Sequence, residues 1–248
     1  MPVVLVHGVP ETAAIWDPML AELGRDDVIT LTPPGFGAPV PDGFGATSDD
    51  YVTWLIDELE QLSGPIDLVG HDWGGGHAAR LATARPDLIR SWCTDIAGVF
   101  DPGYVWHDIA QVWQTPGKGE ELISYTNAMP LAERAAQLEA VGMTPAAAQA
   151  CAAAAGPDMS RCILALYRSA RQPIMATWGR EFEQAERRPG LVITAASDSF
   201  TGGPELAHRM AGRLGAAEVV LEGAGHWWML QDPARAAAVL RDWLAGRD

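Results

Sequence analysis

The sequence predicts an α/β protein: a mostly parallel sheet of about six strands with helices on both faces, interrupted by an inserted block of helices. Two observations predict it. Short apolar, β-branched runs alternate with longer helical stretches near both ends of the chain, and between about residues 101 and 188 that alternation stops. With 248 residues, 48% of them hydrophobic, the chain is long enough to bury one large core without being split into independent units.

The first strand is read in Val3-Val4-Leu5-Val6, an uninterrupted apolar run stopped by His7-Gly8, as expected of a strand covered on both faces. Thr12 to Leu23 reads as a helix and Val28 to Leu31 as a second buried strand, closed by Pro33-Pro34-Gly35-Phe36-Gly37. Ser48-Asp49-Asp50 is a capping sequence for a helix running to about Leu62. Ile66 to Val69 is a third strand, Gly74 to Ala84 a helix that ends before Pro86, and Ile89 to Thr94 a fourth strand. After the interruption come strand Leu191 to Thr194, helix Pro204 to Leu214, strand Glu218 to Leu221 and helix Pro233 to Leu244. The intervening stretch is rich in Ala, Trp and Met, and Pro116, Pro130, Pro145, Pro157 and Pro173 cut it into short helices. Residues 1–100 and 189–248 therefore form the expected α/β core, and residues 101–188 a helical cap.

Composition narrows the function classes. Lys and Arg number 17 against 32 Asp and Glu, a formal charge of −15, so nucleic acid and anionic membrane surfaces are poor partners. No apolar run approaches the roughly 20 residues that span a bilayer, and the signature of a cleaved signal peptide is lacking. Cys93, Cys151 and Cys162 form an odd set without metal-ligand spacing, which fits buried thiols in a reducing cytoplasm and gives no metal site. The sequence does not speak to oligomeric state.

The chemistry gathers in loops that follow strands. Gly70-His71-Asp72-Trp73-Gly74 joins a strand to a helix in the G-x-nucleophile-x-G frame, with Asp72 at its centre. Such a turn is too tight for flanking side chains, and it holds the central residue above the carboxyl ends of the strands, where open sheets bind ligands. Gly225-His226 follows the last strand, which places His226 as a general base within reach of the turn. Asp198, beyond the strand Leu191 to Thr194, is the favoured acid to orient His226, with Asp95 at the end of the fourth strand as its competitor. Backbone N–H groups of Val9 and Trp73 are candidates for an oxyanion hole. His71, His77 and His208 carry no comparable positional argument.

Taken together, His7-Gly8-Val9-Pro10, Gly70-His71-Asp72-Trp73-Gly74-Gly75, Asp198 and Gly225-His226 resemble the epoxide hydrolase and haloalkane dehalogenase group of the α/β-hydrolase superfamily. The resemblance spans nearly the whole chain and is weakest in the helical insertion. Members usually begin with a hairpin of two further strands, whereas here Met1 lies almost on the strand before His7, hence the expectation of about six strands.

The resemblance implies a carboxylate nucleophile. A carboxylate suits displacement at saturated carbon and forms an alkyl ester on Asp72, which water activated by His226 then hydrolyses without metal or organic cofactor. Epoxide opening also needs an acid near the leaving oxygen, and in the cap Tyr167, followed by Arg168, resembles one such donor of epoxide hydrolases. For the first, earlier donor of the cap, the family position holds Ile109, and His107 in Tyr104-Val105-Trp106-His107 lies nearby. Many dehalogenases place Asn where Val9 stands, which tilts the expectation toward epoxide hydrolysis, with haloalkane or haloacid dehalogenation as the alternative and non-catalytic ligand binding a third reading. Trp73, Trp106, Trp113 and Met175 are candidates to line a pocket for a small apolar organic substrate, with water as the second reactant.

Overall fold

A computed structural model describes residues 2–246. Its six strands, β1 (Val3–Val6), β2 (Val28–Leu31), β3 (Ile66–Gly70), β4 (Ile89–Thr94), β5 (Gly190–Ala195) and β6 (Ala217–Leu221), form one all-parallel sheet in the order β2-β1-β3-β4-β5-β6. All four residues of β1 are fully buried, and its alternating side chains feed two separate cores. Val4 and Val6 pack on one face with α2 (Ser48–Glu60) and α3 (Trp73–Ala84), while Val3 and Leu5 pack on the other with α1 (Asp17–Leu23). A continuous apolar run is what a strand between two helical layers requires.

Between β4 and β5 the chain forms only helices beyond a 3₁₀ turn: α4 (Asp108–Gln114), α5 (Lys118–Ala128), α6 (Leu131–Ala140), α7 (Pro145–Ala154), α8 (Pro157–Ser169) and α9 (Ile174–Gln184). Prolines punctuate them. Pro145 and Pro157 open α7 and α8, and Pro130 and Pro173 cap α6 and α9, where a missing N–H costs nothing. The core resumes with α10 (Gly203–Leu214), the short α11 (Trp228–Gln231) and α12 (Pro233–Ala245). Among the described residues no helix is long and apolar enough to cross a membrane.

Three local readings change. β2 is an edge strand, paired only to β1 and half exposed rather than buried. The helix expected over Thr12 to Leu23 is a 3₁₀ turn, Ala13–Ile15, followed by α1, because Pro18 lacks the N–H that a continuous helix would use and instead sits in the first turn of a new one. α2 is capped by Thr47, not by the Ser48 group, and stops at Glu60. Thr47 Oγ1 accepts the Asp50 N–H at 3.2 Å, and the Asp50 carboxylate accepts the Thr47 N–H at 3.0 Å, a reciprocal capping box.

β1 and β3 lie side by side, Val6 opposite Gly70, and the sheet order reverses direction around them. The loops after these strands therefore open the crevice in which such sheets bind ligands. Replacing Thr47 by Ala should lower stability by about 1 kcal/mol, read as a reduced midpoint in denaturant with an unchanged slope.

Candidate active site

The turn after β3 is strained in the way its sequence frame requires. Asp72 has φ +49°, ψ −126°, and only one other non-glycine residue among those described, Ala46, has a positive φ. A Cβ on Gly74 would lie 2.1 Å from the Val6 carbonyl oxygen, so the helix can start this close to β1 only with glycine there. Asp72 is held from several sides. Its N–H donates to Asp95 Oδ1 at 2.9 Å, and its Oδ1 accepts the Val9 N–H at 2.9 Å. Burial pushes its carboxyl up to about 6; the nearby His226 opposes the shift, and the Glu11 charge adds to it. The Trp73 N–H helps to hold the carboxylate charge.

His226 faces this group, its Nε2 3.8 Å from Asp72 Oδ2, beyond direct hydrogen-bond reach. Its Nδ1 lies 2.8 Å from Asp198 Oδ2, and Asp198 Oδ1 accepts the Phe200 N–H at 2.7 Å. Of the two candidate acids, Asp198 is therefore the one on His226, and Asp95 sits beneath the turn. Burial disfavours charge on His226, but Asp198 outweighs it and raises the imidazole above its ordinary value. Burial likewise opposes the charge of Asp198, which His226 nonetheless holds below the usual carboxylate range.

Sequence reasoning missed a second, fully buried cluster. His71 lies between two carboxylates, Nδ1 on Asp95 Oδ2 and Nε2 3.0 Å from Glu11 Oε1. Glu11 also accepts the Gly8 N–H at 2.9 Å and the Trp227 indole N–H, and Asp95 accepts the Trp228 indole N–H at 2.7 Å. Burial resists the His71 charge, but Asp95 and Glu11 overcome it and lift His71 well above its ordinary range. Glu11, His71 and His226 bring ligand-type atoms within 4.8 Å of one another, yet both nitrogens of His71 already face carboxylates, so its imidazolium fills the centre of the cluster. The available signals were a Glu directly after a buried strand's loop and a pair of Trp directly after His226.

Two cavities meet at Asp72. The smaller, about 10 Å³, is lined by Asp72, Trp73, Tyr104, Trp106, His107 and Tyr167, with Met175 also on its wall. Trp106 stacks on Trp73, ring centroids 5.8 Å apart, and its indole N–H is buried without a partner. His107 caps α4: its Nδ1 accepts the Ala110 N–H at 3.3 Å, which leaves the hydrogen on Nε2. Burial keeps this ring neutral, its pKa pushed down to about 4. Tyr167 packs edge-on to Trp73, and burial followed by the Asp72 charge pushes its phenol well above the usual range. Tyr104, read from sequence only as a neighbour of His107, donates its hydroxyl to the Phe200 carbonyl at 2.7 Å. The larger cavity, about 510 Å³, also reaches Asp72, His226, His107 and Tyr167, and extends past Trp113 among α4 to α8.

The chain matches the alpha/beta hydrolase family over residues 3–239, and it belongs to that family. No curated protein matches it significantly. Among solved structures it is similar to a loop variant of the haloalkane dehalogenase DbeA from Bradyrhizobium elkanii, at 21% identity and TM-score 0.76, covering 99% of this chain and 89% of that one. A putative ancestral haloalkane dehalogenase gives 22% identity and TM-score 0.77, covering 99% and 92%. An E-2-(acetamidomethylene)succinate hydrolase gives 17% identity and TM-score 0.73, covering 98% and 91%. At these identities the likeness is one of fold.

Removing the His71 ring would leave two buried carboxylates uncompensated. His71→Ala should destabilise the protein by about 3–5 kcal/mol, measured by chemical denaturation, whereas replacement of the exposed His208 should change stability by less than about 0.5 kcal/mol.

Proposed function

We propose that the protein is a hydrolase whose nucleophile is Asp72, that it displaces a leaving group from saturated carbon, and that carbon–halogen cleavage is its reaction. The observation that carries the leaving-group assignment is the buried, unpartnered indole N–H of Trp106, in the same small cavity as Asp72 and stacked on Trp73. A buried donor without a partner is costly and calls for an acceptor. The similarity to haloalkane dehalogenase structures supports the same reading.

Asp72 Oδ2, which faces His226 while Oδ1 is held by Val9, attacks the carbon. A carbon–oxygen bond forms, the carbon–halogen bond breaks, and halide leaves with the bonding pair toward the donors of the small cavity. His226, oriented by Asp198, then takes a proton from water, and the hydroxide adds to the Asp72 carbonyl carbon. The Val9 and Trp73 N–H groups hold the resulting oxyanion, and its collapse breaks the ester bond, with His226 returning its proton to the alkoxide. The net change is alkyl halide and water to alcohol, halide and a proton. Once Asp72 is esterified its negative charge is gone, which removes one of the influences raising His226 and makes the ring a readier base. Residues 101–188 act in this scheme as the cap that roofs the site over an apolar substrate.

Epoxide hydrolysis is the second reading, favoured by the Tyr167 hydroxyl at the same cavity. Ring opening yields an alkoxide that wants a proton, which Tyr167 could supply. The epoxide reading ranks second because the similarity to haloalkane dehalogenase structures and the unpartnered Trp106 indole N–H favour a halide leaving group. The close facing of Asp72, His226 and Asp198 speaks against a purely ligand-binding role.

Parallel assays of short haloalkanes and styrene-oxide-type epoxides test the two readings. Halide release is expected, slowed on the order of 10²-fold by Trp106→Phe, and His226→Gln should accumulate the alkyl group on the Asp72 peptide in mass spectra. Diol formation without halide release, abolished by Tyr167→Phe, would favour the second reading. Neither product, and no adduct, would remove both.

The pH dependence of alkylation follows from Asp72, which attacks only when ionised. With its carboxyl raised to about 6, single-turnover alkylation should hold above that pH and fall as pH drops through it. A rate unchanged down to about pH 4, the range of an ordinary carboxylate, would contradict the raised value.

A further inference from the structure

The larger cavity has one cationic guanidinium in its wall, and it has no partner. Arg134, on α6, lines the cavity, forms no hydrogen bond or ion pair with any described residue, and has its Nε buried and unsatisfied. Other arginines of this acidic chain grip carboxylates: Arg168 holds Glu120, Arg209 binds Asp101, and Arg213 binds Glu183. Asp72 is the only carboxylate among the cavity's lining residues, so nothing in the wall other than the nucleophile could neutralise Arg134. The remaining wall is largely apolar, including Ile109, Trp113, Leu122, Ile123 and Met159.

Arg134 and Asp72 line the same cavity from different elements, α6 and the turn after β3. A largely apolar cavity of about 510 Å³ with Asp72 and an unpaired guanidinium both in its wall fits a molecule with an electrophilic carbon at one end, an aliphatic chain, and an anion at the other. The planar fork of arginine matches a carboxylate in bidentate fashion. In a chain of net charge −15 a carboxylate is repelled in general, so a built cation is needed to admit one.

We propose that Arg134 is a specificity-determining residue that binds the carboxylate of a medium-chain aliphatic acid carrying its leaving group at the far end. This rests on the Asp72 displacement chemistry proposed above and names the substrate class for it. It distinguishes the substrate from plain haloalkanes, which leave Arg134 unpaired.

The test compares a medium-chain ω-bromoalkanoic acid with its methyl ester and with the 1-bromoalkane of equal length, in wild type, Arg134→Met and Arg134→Lys. Wild type should favour the acid over the ester by about 10- to 100-fold in kcat/KM, mainly through KM. Arg134→Met should lose that preference, the acid suffering about 10- to 100-fold more than the bromoalkane, and Arg134→Lys should restore part of it. A second measurement does not depend on turnover: binding of decanoate to Asp72→Asn, by calorimetry, with and without Arg134→Met. If decanoate binds through Arg134 but no halide is released, the carboxylate site stands and the dehalogenation reading fails. If halide is released equally from acid and ester, or decanoate binds no better with Arg134 than without it, the proposal is overturned while the Asp72 chemistry is untouched.

Discussion

The site depends on one buried positive charge, that of His71. The two carboxylates that flank it are built alike: Glu11 and Asp95 each take one nitrogen of His71, one tryptophan indole and one backbone N–H. Through these bonds a single imidazolium ties together the loops that follow β1, β3, β4 and β6. The backbone groups in question belong to Gly8 and to Asp72 itself, and the indoles to Trp227 and Trp228, directly after His226. Position, more than stability, is what such a cluster supplies. Buried ion pairs gain little net free energy over well-packed apolar groups, but breaking one is costly, so the geometry has few alternatives.

The same cluster sets the electrical character of the pocket. Glu11 lies near enough to raise Asp72, while His71 and His226 draw it down, and burial decides the balance upward. Neutral His107 and the poorly acidic phenol of Tyr167 add no charge of their own. The wall of the smaller cavity around Asp72 thus offers hydrogen-bond donors and no carboxylate apart from Asp72, which is the setting the proposed leaving anion would need.

Much of this was legible in the sequence because it is local. The apolar run of β1, the glycine-flanked turn at Asp72 and the position of His226 after the last strand each follow from residues within a few positions of one another. Asp198 could be favoured over Asp95 from sequence order, but only the fold brings it against His226. What stayed hidden depends on contacts between distant segments. Nothing near Val28 to Leu31 says that the strand lies at an edge, since the same β-branched residues suit either place. The partnership of Glu11 with His71 and Trp227 joins three loops far apart in the chain. Arg134 looks like any surface arginine on a helix until the surrounding helices enclose a cavity beside it.

The helical segment leaves the sheet after β4 and returns at β5, and those two strands pair with each other, so the ends of about 95 inserted residues are pinned side by side. The entropy of closing such an excursion grows only with the logarithm of its length, so that doubling it would cost about 0.6 kcal/mol. Asp72, His226, Asp198, His71 and Glu11 lie outside the excursion, and Asp95 stands at its first residue. A lineage carrying this scaffold is therefore free to lengthen, shorten or exchange the helices beyond Asp95 at small thermodynamic penalty, keeping Asp72, His226 and Asp198 in place while Trp106, His107 and Tyr167 change with the excursion.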